Sequence, residues 1–336
     1  MKILLSSLRF SPDVGGIETV SALLAREFSR VGHEVRVITE TQATDGQEHP
    51  FAVIRNPSRR ELLRHVAWCD VFFQNNISLK SLWAGLLLRK PWVVAHHTWI
   101  GTSDGPDGWT SRLKRFLLKF GANITISEAL AEHIGTKSVR IDNPYDESVF
   151  RLFPSEERNV DLVYLGRLVS DKGVDLLVEA LGQLAHKNLR PRLTIIGQGP
   201  EEAILRELAD KLGLSAQVSF AGLLTGEPLA RMLNRHQILI VPSKWVEPFG
   251  IVALEGIACG CVVVGSEKGG LPRAIGPCGM TVPNGDIHAL AKALQRLLAD
   301  ADLRMRYRSA AAEHLAHHTV QAVGAAYLKV IEDARR

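Results

Sequence analysis

Short runs made almost wholly of apolar residues alternate along this chain with longer stretches in which apolar residues recur at helical spacing. The runs are too short for helices and too hydrophobic for strands with one wet face, so they fit parallel strands buried on both sides and joined by crossover helices. In the first half the pattern predicts strands at Lys2–Ser6, Glu34–Thr39, Val71–Gln74, Trp92–His96 and Asn123–Ile126, with a helix over Ile17–Val31. The second half starts afresh with strands at Asp161–Gly166, Arg192–Ile196, Val218–Ala221, Gln237–Pro242 and Val262–Ser266. Helical spacing separates them at Val174–Ala185, Glu201–Leu212, Pro228–Arg235 and Ile251–Ala258.

Each half therefore reads as one doubly wound sheet. The stretch from Asn143 to Asn159 carries Pro144, Pro154 and several charges but little periodicity, which places a linker there and divides the chain into domains at 1–150 and 151–315. A last helical pattern, about His314 to Ala334, is expected to pack back on the first domain through residues 316–336. The expected fold is α/β, with two Rossmann-like, doubly wound parallel-sheet domains facing each other across a cleft.

Composition supports two cores, since 336 residues with 46% hydrophobic content exceed what one core usually holds. A formal charge of +4 does not suggest a surface saturated with phosphate contacts, and nucleic acid is not expected as a partner. Cys69, Cys259, Cys261 and Cys278 lack paired C-x-x-C spacing and read as small buried hydrophobes of a reducing compartment. The opening MKILLSSLRF is too briefly apolar for a signal peptide or a membrane span, so a cytoplasmic protein is expected.

Candidate chemistry gathers where predicted strands end. The segment Glu247 to Glu255, EPFGIVALE, follows the strand QILIVPS, which puts Glu247 in a strand-to-helix loop at the carboxyl edge of the sheet, where open α/β sheets bind ligands. Glu255 follows in the helix, and Phe249, Gly250 and Ile251 sit at a helix start whose amides lack helical partners. Carboxylates flanking N–H donors suit a sugar joined to a diphosphate; a capped helix with solvated acids would give the same spacing. Upstream, Gly166-Arg167-Leu168-Val169-Ser170-Asp171-Lys172-Gly173 leaves the first strand of the second domain. Arg167 and Lys172 could stabilise a diphosphate leaving group as its charge grows, or decorate a solvated loop. Gly197-Gln198-Gly199-Pro200 lacks the third glycine of a dinucleotide fingerprint, with Glu202 in its place, so a nicotinamide site is discounted.

The first domain offers less. Gly15 and Gly16, in Asp13-Val14-Gly15-Gly16-Ile17-Glu18, let backbone approach a ligand, and a tight turn accounts for them nearly as well. His97, ending PWVVAHH, is either a core histidine or a cleft residue.

Two of these segments in order, G-R-x4-K-G from Gly166 and E-x7-E from Glu247, resemble glycosyltransferase family 4, which has a GT-B fold, acts on nucleotide-sugar donors and retains anomeric configuration. The resemblance implies that Glu247 contacts the donor sugar, Glu255 the ribose, Arg167 and Lys172 the diphosphate, the Gly197–Gly199 turn the base, the Gly15–Gly16 pair the donor phosphates or the acceptor, and His97 the donor sugar. It implies a UDP- or GDP-hexose donor held mainly by the second domain, with an acceptor hydroxyl on a glycan, lipid-linked molecule or small molecule. Attack from the front face is implied, with the departing phosphate taking the proton. No cofactor and no metal are expected, since no D-x-D pair is placed to hold magnesium or manganese against a phosphate. Asn143-Pro144-Tyr145-Asp146 departs from the family's Asn-Gly-Val-Asp, and Arg273 stands where many relatives carry glutamate.

Residues 109–120, WTSRLKRFLLKF, interleave Arg112, Lys114, Arg115 and Lys119 with apolar residues. They form either a surface helix with its apolar side in the core or a basic amphipathic contact with the inner membrane face. Two other functions share this chemistry: a sugar-nucleotide epimerase or hydrolase, which would consume donor without acceptor, and a catalytically silent nucleotide-sugar-binding protein.

Overall fold

The computed structural model describes residues 1–13, 15–42, 49–101 and 108–336, and the chain divides into two units, Met1–Pro144 with Thr319–Arg336, and Tyr145–His318. The change of unit falls at Pro144/Tyr145, whereas the sequence pattern put the division at 150/151.

In the first unit the order is β1 (Lys2–Ser7), α1 (Gly16–Arg30), β2 (Glu34–Thr39), β3 (Ala52–Arg55), α2 (Arg59–Trp68), β4 (Val71–Asn75), α3 (Leu79–Leu87), β5 (Trp92–His96), α4 (Trp109–Leu118), β6 (Ala122–Thr125), α5 (Glu128–Ile134) and β7 (Val139–Arg140). The strands form one parallel sheet in the order β3-β2-β1-β4-β5-β6-β7. Every residue of β4 and β5 is buried, as expected where helices cover both faces. The second unit runs β8 (Val160–Leu165), a 3₁₀ turn at Ser170–Lys172, α6 (Val174–Ala185), β9 (Leu193–Ile196), α7 (Glu202–Lys211), β10 (Val218–Gly222), α8 (Gly226–Asn234), β11 (His236–Val241), α9 (Ile251–Ala258), β12 (Val262–Ser266), α10 (Leu271–Ile275), β13 (Gly279–Val282), α11 (Ile287–Ala299), α12 (Ala301–Ser309) and α13 (Ala311–Ala316). Its parallel sheet has the order β10-β9-β8-β11-β12-β13. Strand order reverses between β1 and β4 in one unit and between β8 and β11 in the other, and the crevices of such sheets open at these points.

The last helical pattern is two helices, not one. α13 ends at Ala316, and α14 (Val320–Arg335) starts anew because the Thr319 hydroxyl accepts the Ala322 N–H. α14 belongs to the first unit. A Cβ at Gly324 would stand 2.6 Å from Cγ of Glu27 on α1, and the Tyr327 ring meets Phe73 of β4 edge-on at 5.9 Å. Val323, Tyr327 and Ile331 are buried there, each worth about 1.5–3 kcal/mol over an exposed position. All four cysteines are buried and unpaired. No described helix is long and apolar enough to cross a membrane.

Candidate active site

Three loops leave the carboxyl edges of β8, β9 and β11 and are joined by backbone contacts. Gly166 N–H donates to Ile196 O at 3.0 Å and Leu168 N–H to Gln198 O at 3.0 Å, while Lys244 and Trp245 both donate to Asp171 O, at 2.9 and 3.1 Å. A Cβ would lie 1.9 Å from Gly166 O if placed at Gly197 and 2.1 Å from Leu168 O if placed at Gly199. The Gly-x-Gly turn is thus required by one loop lying against another, whatever else it does.

This stitching brings Lys172 to Glu247. Lys172 Nζ donates to Glu247 Oε1 at 2.6 Å, and the Ser243 hydroxyl donates to the same oxygen at 2.6 Å. The two side chains are 21% and 11% exposed, so solvent screens the pair far less than a surface ion pair. Glu247 Oε2 accepts no hydrogen bond among the described residues, which leaves an acceptor open to a ligand hydroxyl. Backbone holds the loop from the other side: Gly270 N–H donates to Glu247 O at 2.8 Å, and Asn284 Nδ2 donates to Ser243 O at 3.0 Å. Below the pair the buried Tyr164 hydroxyl donates to Arg167 O at 2.8 Å, and burial together with Glu247 and Asp171 raises its pKa. Sequence reasoning missed Ser243, Asn284 and Tyr164; only Tyr164, closing a strand two residues before Gly166, carried any signal.

Arg167 shares the loop of Lys172, and its side chain is exposed, with no hydrogen bond or ion pair among the described residues. α9 starts at Ile251 from Gly250, whose φ of 99° is a left-handed conformation that favours glycine, and no side chain caps it. The Phe249, Gly250 and Ile251 amides make no hydrogen bond among the described residues. The Phe249 ring is buried and lies 5.9 Å from His318, anchoring the helix start instead of facing a ligand.

Glu255, in the body of α9, makes no hydrogen bond or ion pair with Lys172 or Glu247 among the described residues. Burial pushes its carboxyl up to about 7, and Asp146 adds to the shift. In Asp300-Ala301-Asp302, Asp300 caps α12 by accepting the Leu303 N–H at 2.8 Å.

In the first unit, His97 follows β5 and is 5% exposed. Asn76, with φ 62°, turns its side chain so that Oδ1 accepts the His97 N–H at 2.7 Å and the Thr98 N–H at 3.2 Å. Burial, helped by His96 and opposed by Asn143, pushes the His97 imidazole down to about 3, so it is neutral at ordinary pH. Neither ring nitrogen completes a hydrogen bond among the described residues. Gly15 precedes α1 with extended backbone and Gly16 is its first residue; Val14, of the same expected loop, lies outside the described residues. A cavity of about 370 Å³, unsuspected from sequence, opens at the ends of β1, β2 and β4, lined in part by Ser6, Thr39, Asn75, Asn76, Lys80 and Ser81. Asn75 is 2% exposed, and its Oδ1 has no partner.

Comparison with known proteins adds an independent line. The family described as Glycosyl transferases group 1 matches residues 147–314, and the one described as Glycosyltransferase Family 4 matches residues 14–143. Among curated relatives, the D-inositol 3-phosphate glycosyltransferase of Corynebacterium jeikeium is 35% identical over 179 residues, 51% of this chain and 42% of that protein. The GDP-mannose-dependent monoacylated alpha-(1-6)-phosphatidylinositol monomannoside mannosyltransferase of Corynebacterium glutamicum is 31% identical over 211 residues, 60% of this chain and 55% of that one. The chain thus spans less than two thirds of the length of these relatives. Two solved structures share the fold across nearly the whole of both chains. Sucrose-phosphate synthase from Thermosynechococcus elongatus superposes with a TM-score of 0.79 at 22% identity, covering 99% of this chain and 98% of that one. Anabaena HepE in complex with UDP and glucose superposes at 0.82 with 20% identity, covering 99% of each.

Proposed function

Because the chain belongs to glycosyltransferase family 4, with its two GT-B domains, we propose that it moves a hexose from a UDP- or GDP-sugar to an acceptor hydroxyl, with retention and without a metal, in polysaccharide or glycoconjugate synthesis. The observation that carries this reading is the shielded Lys172–Glu247 contact at the switch point of the second sheet, beside a helix start without a side-chain cap. A cation, an open carboxylate oxygen and unpaired amides in one place suit a sugar diphosphate.

In the proposed reaction the bond between the anomeric carbon and the diphosphate oxygen breaks, and its electron pair stays on that oxygen. Lys172 and Arg167 stabilise the charge that develops there, which favours the transition state over the bound donor. The acceptor oxygen bonds to the anomeric carbon from the same face, and its proton passes to the departing phosphate. Glu247 accepts hydrogen bonds from the sugar hydroxyls through Oε2, and Glu255 accepts from the ribose. The Phe249, Gly250 and Ile251 amides and the Gly166 turn serve the phosphates, the Gly197–Gly199 turn borders the base, and the Gly15–Gly16 loop serves the donor phosphates or the acceptor. Neutral His97 positions the sugar; with a pKa near 3 it is no base of useful strength.

The 370 Å³ cavity of the first unit, lined by hydroxyls and amides, suits a polyhydroxylated acceptor, with Asn75 Oδ1 waiting for a hydroxyl donor. Where the acceptor is lipid-linked, α4 and the residues up to 120 lie on the inner face of an anionic membrane.

A panel of UDP- and GDP-hexoses, assayed for nucleotide release in excess chelator with and without glycan or lipid acceptors, tests this reading. Acceptor-dependent release with an α-linked product from an α-linked donor is expected. Release without acceptor would instead indicate a hydrolase or epimerase, and binding without release a silent binding protein.

A further inference from the structure

On the buried wall of the first-unit cavity, protons are already committed and lone pairs are not. Ser7 Oγ donates to Arg9 O at 2.6 Å, and Thr39 Oγ1 donates to Leu8 O at 3.2 Å. Ser6 and Ser81 are bonded to each other at 3.1 Å, and Ser81 Oγ also accepts from Gln74 Nε2 at 2.8 Å. All four line the cavity and are buried. A hydroxyl oxygen has two acceptor positions for its one proton, so this wall is left richer in acceptors than in donors.

Asn75 makes the strongest demand. The Ser21 hydroxyl on α1 donates to Ile17 O at 2.7 Å, and its oxygen accepts the Asn75 Nδ2–H at 2.5 Å. That chain fixes which way round the amide lies: Nδ2 is turned to the helix, and Oδ1 is left without a partner in a residue only 2% exposed. A buried carbonyl oxygen that no proton reaches is costly to keep, and a ligand that brings a proton removes the cost.

At the rim one cation and one anion answer each other, since Lys80 Nζ donates to Glu40 Oε1 and Oε2 at 2.9 and 3.0 Å. Arg55, next in sequence to the lining Asn56, gives its N–H groups to the carbonyls of Ser11, Thr41 and Gln42. Arg9, Arg59 and Arg60 are not among the described lining residues, and positions 43–48 and 102–107 hold no lysine or arginine. The described lining therefore offers an anion no uncompensated charge.

We propose that the acceptor unit entering this cavity is an uncharged polyol ring, a sugar or cyclitol with free hydroxyls, one of which donates to Asn75 Oδ1. Asn75 and the Glu40–Lys80 pair exclude rings that carry phosphate or carboxylate. The charged oxygens of those groups accept and do not donate, so against unpaired lone pairs they repel where a hydroxyl would bond. A polymeric or lipid-linked acceptor obeys the same rule when its terminal ring is unphosphorylated. The inference rests on the proposed transfer, with this cavity as its acceptor site, and adds the class of acceptor. At about 370 Å³ the cavity lies near the lower end of the roughly 300–1,000 Å³ usual for small-ligand sites.

Titration of the full chain with glucose, mannose and myo-inositol, each against its monophosphate ester, followed by saturation-transfer NMR, tests it. At least one free ring is expected to bind, about tenfold or more tighter than its ester. Asn75→Leu should lose about 10- to 100-fold in affinity for that ring, while the unfolding midpoint without ligand moves little, because no bond to Oδ1 is lost. A lowered midpoint with unchanged ring affinity would make Asn75 a structural residue and overturn its assignment. Glu40→Gln leaves Lys80 uncompensated at the exposed rim and should raise ester affinity about two- to fivefold without changing that of the free ring; no change for the ester overturns the role of the pair. Esters that bind as tightly as free rings, or rings that do not bind at all, overturn the inference as a whole. Calorimetric titration with UDP and GDP separates this from the transfer reading: nucleotide binding without ring binding overturns the acceptor class alone, and absence of nucleotide binding overturns the transfer itself.

Discussion

The two sheets present different chemistry at the same place in equivalent folds. At the β8/β11 switch point of the second unit an ion pair, Lys172–Glu247, sits beside uncapped amides and an exposed arginine. At the β1/β4 switch point of the first unit the lining is mostly hydroxyls and amides, with the Lys80–Glu40 pair well exposed to solvent, and the neutral His97 follows β5 next in the sheet. One architecture can thus be given a charged crevice for a ligand whose charge grows during reaction and a nearly neutral one for a ligand whose charge does not.

Breaking the charged side should have the largest effect. Lys172→Ala removes a cation from the developing charge and leaves Glu247 shielded without its partner, and kcat at saturating donor is expected to fall about 10²- to 10³-fold. Near-normal turnover would remove the basis for treating the second unit as the electrostatic half.

Glu255 sharpens the contrast through pH. Its folded-state value is raised from 4.5 to about 7, so the folded protein holds this proton more tightly than the unfolded chain. Its contribution to stability is complete below pH 4.5 and is lost as pH rises through 7. Glu255→Gln should therefore be more stable than the unaltered protein at pH 8, by on the order of 1–3 kcal/mol, and equal to it at pH 4. Thermal unfolding at both pH values measures this. A ribose that donates to Glu255 prefers the ionised form, so donor affinity should rise between pH 6 and 8 and lose that dependence in the variant.

The smallest effect is expected in the neutral half. Asn76→Gly keeps the left-handed backbone but removes the acceptor for the His97 and Thr98 amides, at a cost of about 1–2 kcal/mol in stability. Activity should fall about tenfold or less, in keeping with a positioning role. A loss as deep as that of Lys172→Ala would erase the division between the halves.

The fold was legible because both sheets are read from local pattern: strands buried on two faces have to be nearly continuous in apolar residues, as Val262–Ser266 is. The break at Thr319 was less visible, since a single hydroxyl cap interrupts an apolar periodicity that runs across it. At the site, the sequence placed Lys172 and Glu247 on loops at the right edge of the sheet, and glycines between rigid elements marked where chain must turn.

What sequence by itself determined is the central strands of both sheets and the carboxyl-edge loops that carry Arg167, Lys172 and Glu247, because these follow from periodicity and from the direction of parallel strands; the short edge strands β3, β7 and β13 went unread. Only tertiary structure decided that Lys172 grips Glu247, that desolvation and Asp146 raise the Glu255 carboxyl, and that Asn76 fixes His97. Contacts of this kind depend on which loops strand order brings side by side and on how much solvent the packing removes, and neither is written in the spacing of residues along the chain.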